Sequence, residues 1–238
     1  MLPYFTEVFG HPVSLYSLGQ AAADAVERAQ ASLAGTIKAR PAEIVFTSGA
    51  TEANDMAIRG AAYANRGRGR HIITTKVENP SVLRVCERLE KEGFKVDYLP
   101  VNGEGMVSVA ELEKKLTGET ILVSVANVND EVGTVEPVEE IGAILHERDK
   151  KIIFHVNAAA GYGRVPIDVK RAGIDLMSLS SHKIHGPKGV GALYVADGTA
   201  IEPVYYGYIS LFKLRPGTED IPGIVGFGKA AELASDNF

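Results

Sequence analysis

The run SLSSHKIHGPKG (residues 178–189) puts Lys183 between His182 and a glycine-rich turn, at the end of a segment that otherwise reads as a buried strand. An ammonium in such a setting is costly unless it pairs, reaches water or reacts. In a dry cleft a lysine gives up its proton more readily and condenses with aldehydes. Ser180 and His182, close by in sequence, are suited to holding an anionic group of the same ligand. A turn lysine in water is the plain alternative, and the run alone leaves both open. A second candidate is TSGATEAND (residues 47–55), where Gly49, Ala50 and Thr51 lie between a strand-like and a helical pattern. Small residues let backbone N–H groups approach a ligand, and a helix start adds positive partial charge, so a phosphate would fit there. Thr51 can add a hydroxyl. The same spacing is also an ordinary capped helix start.

These candidates need elements to position them. SLGQAAADAVERAQASLAGTI has spaced apolar residues and reads as a helix, and EIVFTS follows it as a short strand. HIITTKV, FKVDYLPV, TILVSVANV and KIIFHVNAA read as further strands. PSVLRVCERLEKEG, SVAELEKKL and PVEEIGAILHERDK read as the helices between them, the first with Pro80 near its start and Gly93 at its end. DLMSLSSH and GVGALYV complete about seven strands, joined by a turn too short for a parallel crossover, so that pair should be antiparallel. Alternating strands and helices predict a three-layer α/β/α domain over residues 1–238, with a mostly parallel seven-stranded sheet and one antiparallel strand. In such sheets ligands sit beyond the carboxyl ends of the strands. KVENPS, NVNDEVG and HVNAAAG fall there too, beside the two runs above.

Bulk properties exclude several classes. The 238 residues carry a net charge of −5, which offers no general basic surface for nucleic acid. The basic cluster at residues 66–70 reads as a solvated loop. A single cysteine, Cys86, rules out an internal disulfide framework and a cysteine-rich metal site, and it fits a reducing, cytoplasmic setting. No apolar run approaches the roughly 20 residues of a membrane span. Cys86 lies on a helical pattern with Val82, Val85 and Leu89, where a buried, inert thiol is expected.

The segments IVFTSGATEANDMAIRG, ILVSVANVNDEVGTVEPVEEIG, SLSSHKIHGPKGVGALYV and LRPGTEDIPGIVGFGKAAELA, in this order, resemble the cysteine desulfurases, which are class V, fold type I enzymes using pyridoxal 5'-phosphate. The resemblance implies the large domain of that fold. It implies that Lys183 holds the cofactor aldehyde and that Thr51, Ser180 and His182 bind the cofactor phosphate, next to Ala50 of the small-residue loop. Thr218 is implied to reach the phosphate in the other subunit of a homodimer. The implied reaction removes sulfur from L-cysteine, leaves alanine and passes a persulfide to an iron–sulfur scaffold or a sulfur carrier. Two parts of the family pattern, an N-terminal segment that lines the site and a C-terminal small domain with the catalytic cysteine, are expected to lie outside these 238 residues.

Four positions at which the family contacts the cofactor ring are changed. Asn79 stands where the family has a stacking histidine, and an amide has no aromatic face and does not titrate near neutrality. Asn157 replaces the aspartate that pairs with the ring nitrogen; it can hydrogen-bond but brings no charge. Ala160 replaces a glutamine donor, and Asp130 replaces an asparagine, placing a carboxylate where an anionic ring oxygen would repel it. These changes raise a second expectation: a non-catalytic homologue acting as a binding or scaffold domain.

Overall fold

The computed structural model of the chain describes residues 1–148 and 151–235. Among these residues, seven strands form one sheet: β1 (Ile44–Thr47), β2 (His71–Thr75), β3 (Lys95–Leu99), β4 (Thr120–Ala126), β5 (Ile153–Asn157), β6 (Leu176–Ser180) and β7 (Gly191–Val195). Their order is β1-β7-β6-β5-β4-β2-β3. β7 runs antiparallel to both of its neighbours, and the remaining pairs are parallel. The predicted three-layer domain with one antiparallel strand is therefore the observed fold.

The helices are α1 (Pro3–Thr6), α2 (Ser17–Thr36), α3 (Ala50–Asn65), α4 (Pro80–Lys91), α5 (Val109–Lys115), α6 (Val138–His146) and α7 (Ile221–Ser235). The helical pattern expected to continue to Lys150 ends at His146 in the structure, and Asp149 and Lys150 lie outside the described residues. Side chains alternate across the sheet with period two, and this splits the core in two. Phe46, Ile73, Val123, Val125, Phe154, Val156 and Met177 face α2, α5, α6 and α7. Val45, Ile72, Leu122, Ile153 and Leu176 face α3 and α4. The central strands are buried on both faces, which explains their unbroken apolar runs.

The helix starts next to the strand ends are set by local chemistry. Asn79 caps α4: its Oδ1 accepts the Ser81 backbone N–H at 3.0 Å, and Pro80 occupies the first helical position, where no N–H is needed. Gly49 precedes α3 with φ of 151°, a backbone state open to glycine. Directly beside it on β7, a Cβ added at Gly191 would sit 2.6 Å from both Gly49 Cα and Leu179 O. The strand and the loop at residues 48–51 thus touch backbone to backbone.

Candidate functional site

A cleft of about 540 Å³ opens at the carboxyl ends of β1, β4, β5 and β6. Ala50 and Thr51 enter it from the first turn of α3, and Asn79 from the start of α4. Asp130 arrives from the loop after β4, and Asn157 and Ala160 from the end of β5. Ser180, His182 and Lys183 come from the end of β6 and the short 3-10 turn Ser181–Ile184. Nine of the ten residues singled out from the sequence therefore line one cleft. The tenth, Thr218, is exposed, lies 3.5 Å from His11 Nε2, and is not among the lining residues.

Lys183 also lines a larger groove of about 1110 Å³, bounded by Met1, Arg164, Pro187, Lys229 and Leu233. It therefore stands on the wall between two spaces. The left-handed His185, with φ of 64°, ends its short turn and redirects the chain.

The cleft has the donors an anion needs. The first N–H groups of α3 have no intrahelical acceptor and carry the positive end of the helix dipole. Thr51, Ser180 and His182 stand around that end, with Ser180 Oγ 2.9 Å from His182 Nδ1. Lys188, which the sequence reading did not single out, adds a second ammonium to the rim. Its signal was present in the Gly-Pro-Lys-Gly turn, two residues beyond which β7 begins. A phosphate fits this end, and the Lys183 amine suits an aldehyde in the same cleft.

The opposite end is built differently. Asn79 Nδ2 donates to Asp130 Oδ2 at 2.7 Å, so two of the four departures from the family pattern bond to each other. Asn157 Nδ2 donates to Glu78 Oε2 at 3.5 Å, and Asn157 Oδ1 accepts the Ala159 N–H at 3.3 Å. Glu78 is 4% exposed, and its other oxygen, Oε1, has no hydrogen-bond partner among the described residues. Burial pushes its carboxyl up to about 7. Glu78 was missed in the sequence because nothing in KVENPS marks a glutamate as facing inward.

Beneath this floor, His155 is fully buried, with Nδ1 2.8 Å from Ser124 Oγ and Nε2 3.0 Å from Ser178 Oγ. Burial pulls its imidazole down to about 3, so it is neutral. Cys86 is buried as expected, and burial pushes its thiol up to about 12.

The aromatic segment YYGYISLFK divides between interior and surface. Phe212 packs edge-on against Phe46, with ring centroids 6.2 Å apart, and Tyr205 donates to Glu52 Oε1 at 2.7 Å. Tyr206 and Tyr208 are 84% and 63% exposed.

Comparison with known proteins follows the same lines. The aminotransferase class-V family profile matches residues 1–237. A protein named cysteine desulfurase IscS from Clostridium botulinum (strain Kyoto / Type A2) is 51% identical over 237 residues, covering all of this chain and 59% of its own length. One of the same name from Methanosarcina thermophila is 49% identical over 235 residues, covering 99% of this chain and 58% of its own length. The chain thus spans less than two thirds of these relatives. Among solved structures, a NifS-like protein superposes with a TM-score of 0.96 at 38% identity, covering 99% of this chain and 65% of that one. A structure described as SspA in complex with cysteine gives 0.92 at 40% identity, covering 97% and 66%. From the full-length profile match and these relatives, the chain belongs to the aminotransferase class-V family.

Proposed function

We propose that residues 1–238 form the pyridoxal 5'-phosphate-binding large domain of a cysteine desulfurase acting on L-cysteine, with the sulfur passed on toward iron–sulfur cluster assembly. One observation carries the reading: Lys183 lines the same cleft as Thr51, Ser180, His182 and the start of α3. The names of the relatives support the substrate class.

When bound, pyridoxal phosphate supplies an aldehyde for an amino group and a ring that withdraws electrons from the substrate's α-carbon. The chain's own residues do the rest. Thr51, Ser180, His182 and the α3 N–H groups would hold the phosphate, with Ala50 giving close access. Lys183 Nζ would hold the aldehyde, and the same amine is placed to move a proton in this cleft. Asn157 would hydrogen-bond the ring nitrogen, and Asn79, Asp130 and Ala160 line the same end of the cleft. Cys86 does not carry sulfur, because its buried thiol stays protonated. Thr218 and the exposed Tyr206 and Tyr208 belong to a homodimer surface through which Thr218 reaches the partner's cleft. A scaffold or sulfur-carrier protein receives the sulfur in the cytoplasm.

A second reading, a non-catalytic binding domain, is favoured by the Asn79–Asp130 hydrogen bond, which engages two groups at the ring end of the cleft with each other. Titration with pyridoxal phosphate separates the two. A visible absorbance band in the parent chain that disappears in Lys183→Ala is the expected result. No band in the parent refutes cofactor binding and leaves the second reading standing.

A further inference from the structure

We infer that Glu78 is a positioning residue for the cleft: ionised, it turns the Asn157 amide so that Oδ1 is presented at the cleft floor, selecting a ligand with a protonated ring nitrogen. The identity of that ring rests on the pyridoxal phosphate reading; the orientation of the amide does not.

The inference begins with hydrogen-bond inventory. An ionised carboxylate only accepts, so Glu78 Oε2 can face Asn157 only through Nδ2. It does so at 3.5 Å, and it also accepts the Asn79 N–H at 3.3 Å. The amide oxygen is then left on the other side, where the Ala159 N–H holds it at 3.3 Å. Ala159 and Asn157 both line the cleft. A carbonyl oxygen has two acceptor sites, and Ala159 uses one, so the second is available to a ligand N–H. An unprotonated ring nitrogen, which only accepts, finds no match at that oxygen.

Charge supports the same orientation. Asn157 brings no charge of its own, but Glu78 lies directly behind it, where screening by water is weak. A cationic ring and an anionic Glu78 favour each other through the intervening amide. A neutral Glu78 removes that charge, and an O–H on Oε2 would oppose the Nδ2 contact, leaving the Ala159 N–H alone to hold the amide orientation. Besides the Asn157 amide, the backbone N–H groups of Asn79 and Ala126 favour the charged form of Glu78, while Oε1 has no hydrogen-bond partner among the described residues. Glu136, which is itself buried, raises the Glu78 carboxyl further, and the Cys86 thiol of α4 lies within the field of Glu78. Asp130 sits one residue away through its bond to Asn79. These groups make the floor around Asn157 acidic, so a cationic ring nitrogen is favoured at that end of the cleft, apart from Lys183 and Lys188.

Two measurements on the full chain test this. In the first, without cofactor, NMR follows the Asn157 side-chain NH₂ signal, assigned by its loss in Asn157→Ala, from about pH 5 to about pH 9 on either side of an elevated carboxyl midpoint. The signal should titrate near pH 7, where Glu78 ionises, and should stay flat in Glu78→Gln. A flat signal in the parent overturns the inference, whatever the variant does. In the second, the chain is loaded with pyridoxal phosphate carrying an isotopically labelled ring nitrogen. The nitrogen shift should be pyridinium-like in the parent and move toward neutral pyridine in Glu78→Gln, and Glu78→Asp should recover part of the difference. Identical shifts in parent and Glu78→Gln overturn the inference. If the parent takes up no pyridoxal phosphate, the proposed cofactor fails, and the first measurement alone decides the role of Glu78.

Discussion

Acidification acts on two buried groups in opposite senses, and one substitution separates them. The Glu78 carboxyl is raised by burial from an ordinary 4.5 to about 7. The folded chain holds this proton where the unfolded chain has released it. The contribution of Glu78 is therefore complete below about pH 4.5 and is lost as the pH rises to about 7; at ~1.4 kcal/mol per pH unit it amounts to about 3 kcal/mol. The His155 imidazole is lowered by burial from 6.5 to about 3. Its contribution is present above pH 6.5 and lost on acidification, because the unfolded chain binds a proton the folded chain refuses; by about pH 4.5 that loss is also about 3 kcal/mol. Between neutrality and about pH 4.5 the two nearly cancel in the parent chain. Glu78→Gln removes the gain and keeps the loss, so relative to the parent it should lose about 3 kcal/mol across the same window. Urea unfolding at several pH values, with parent and variant compared at each, measures this difference free of the groups they share. Parallel stability profiles for the two chains would refute the reasoning, because they would mean that Glu78 titrates alike folded and unfolded.

Three further outcomes are expected. Asn79→Ala removes the cap of α4 and should cost about 1 kcal/mol in urea unfolding, whether or not a cofactor is present. Gly191→Ala forces a Cβ to within 2.6 Å of the Gly49 backbone. It should displace the loop at residues 48–51 and weaken pyridoxal phosphate binding by at least about tenfold, a change of about 1.4 kcal/mol readable in a spectroscopic titration. Cys86 should resist a thiol reagent in the folded chain and react with one equivalent after denaturation, because its thiol is buried and held protonated.

Much of the sheet was legible because buried strands write themselves as short β-rich apolar runs, and the polar residues after them mark where the loops start. TILVSVANV and DLMSLSSH are of this kind, and both became strands ending at the cleft. The antiparallel β7 followed from a turn too short for a crossover. The phosphate end was legible because a helix start and a lysine turn have local signatures. What stayed hidden depends on neighbours distant in sequence. His155 sits inside a strand pattern, and its two serine partners come from different strands. Glu78 looks like any loop acid until Asn157 is brought against it from residues far along the chain. The Asn79–Asp130 bond was likewise invisible: each substitution read as the loss of a ring contact, whereas the structure shows them bonded to each other.

The position of β7 between β1 and β6 has a consequence for how the chain is made. Among the described residues, Ile44 of β1 pairs with Tyr194 of β7 and with no other strand, so the first of these strands to leave the ribosome waits for the last. Contacts so far apart in sequence close slowly. β2 to β6 can assemble beforehand, since each pairs with a parallel neighbour in that set. The loop at residues 48–51 and the Lys183 turn come together only when β7 is inserted between their strands. During synthesis, ligand-binding competence should therefore appear late and abruptly, after residue 195 has emerged.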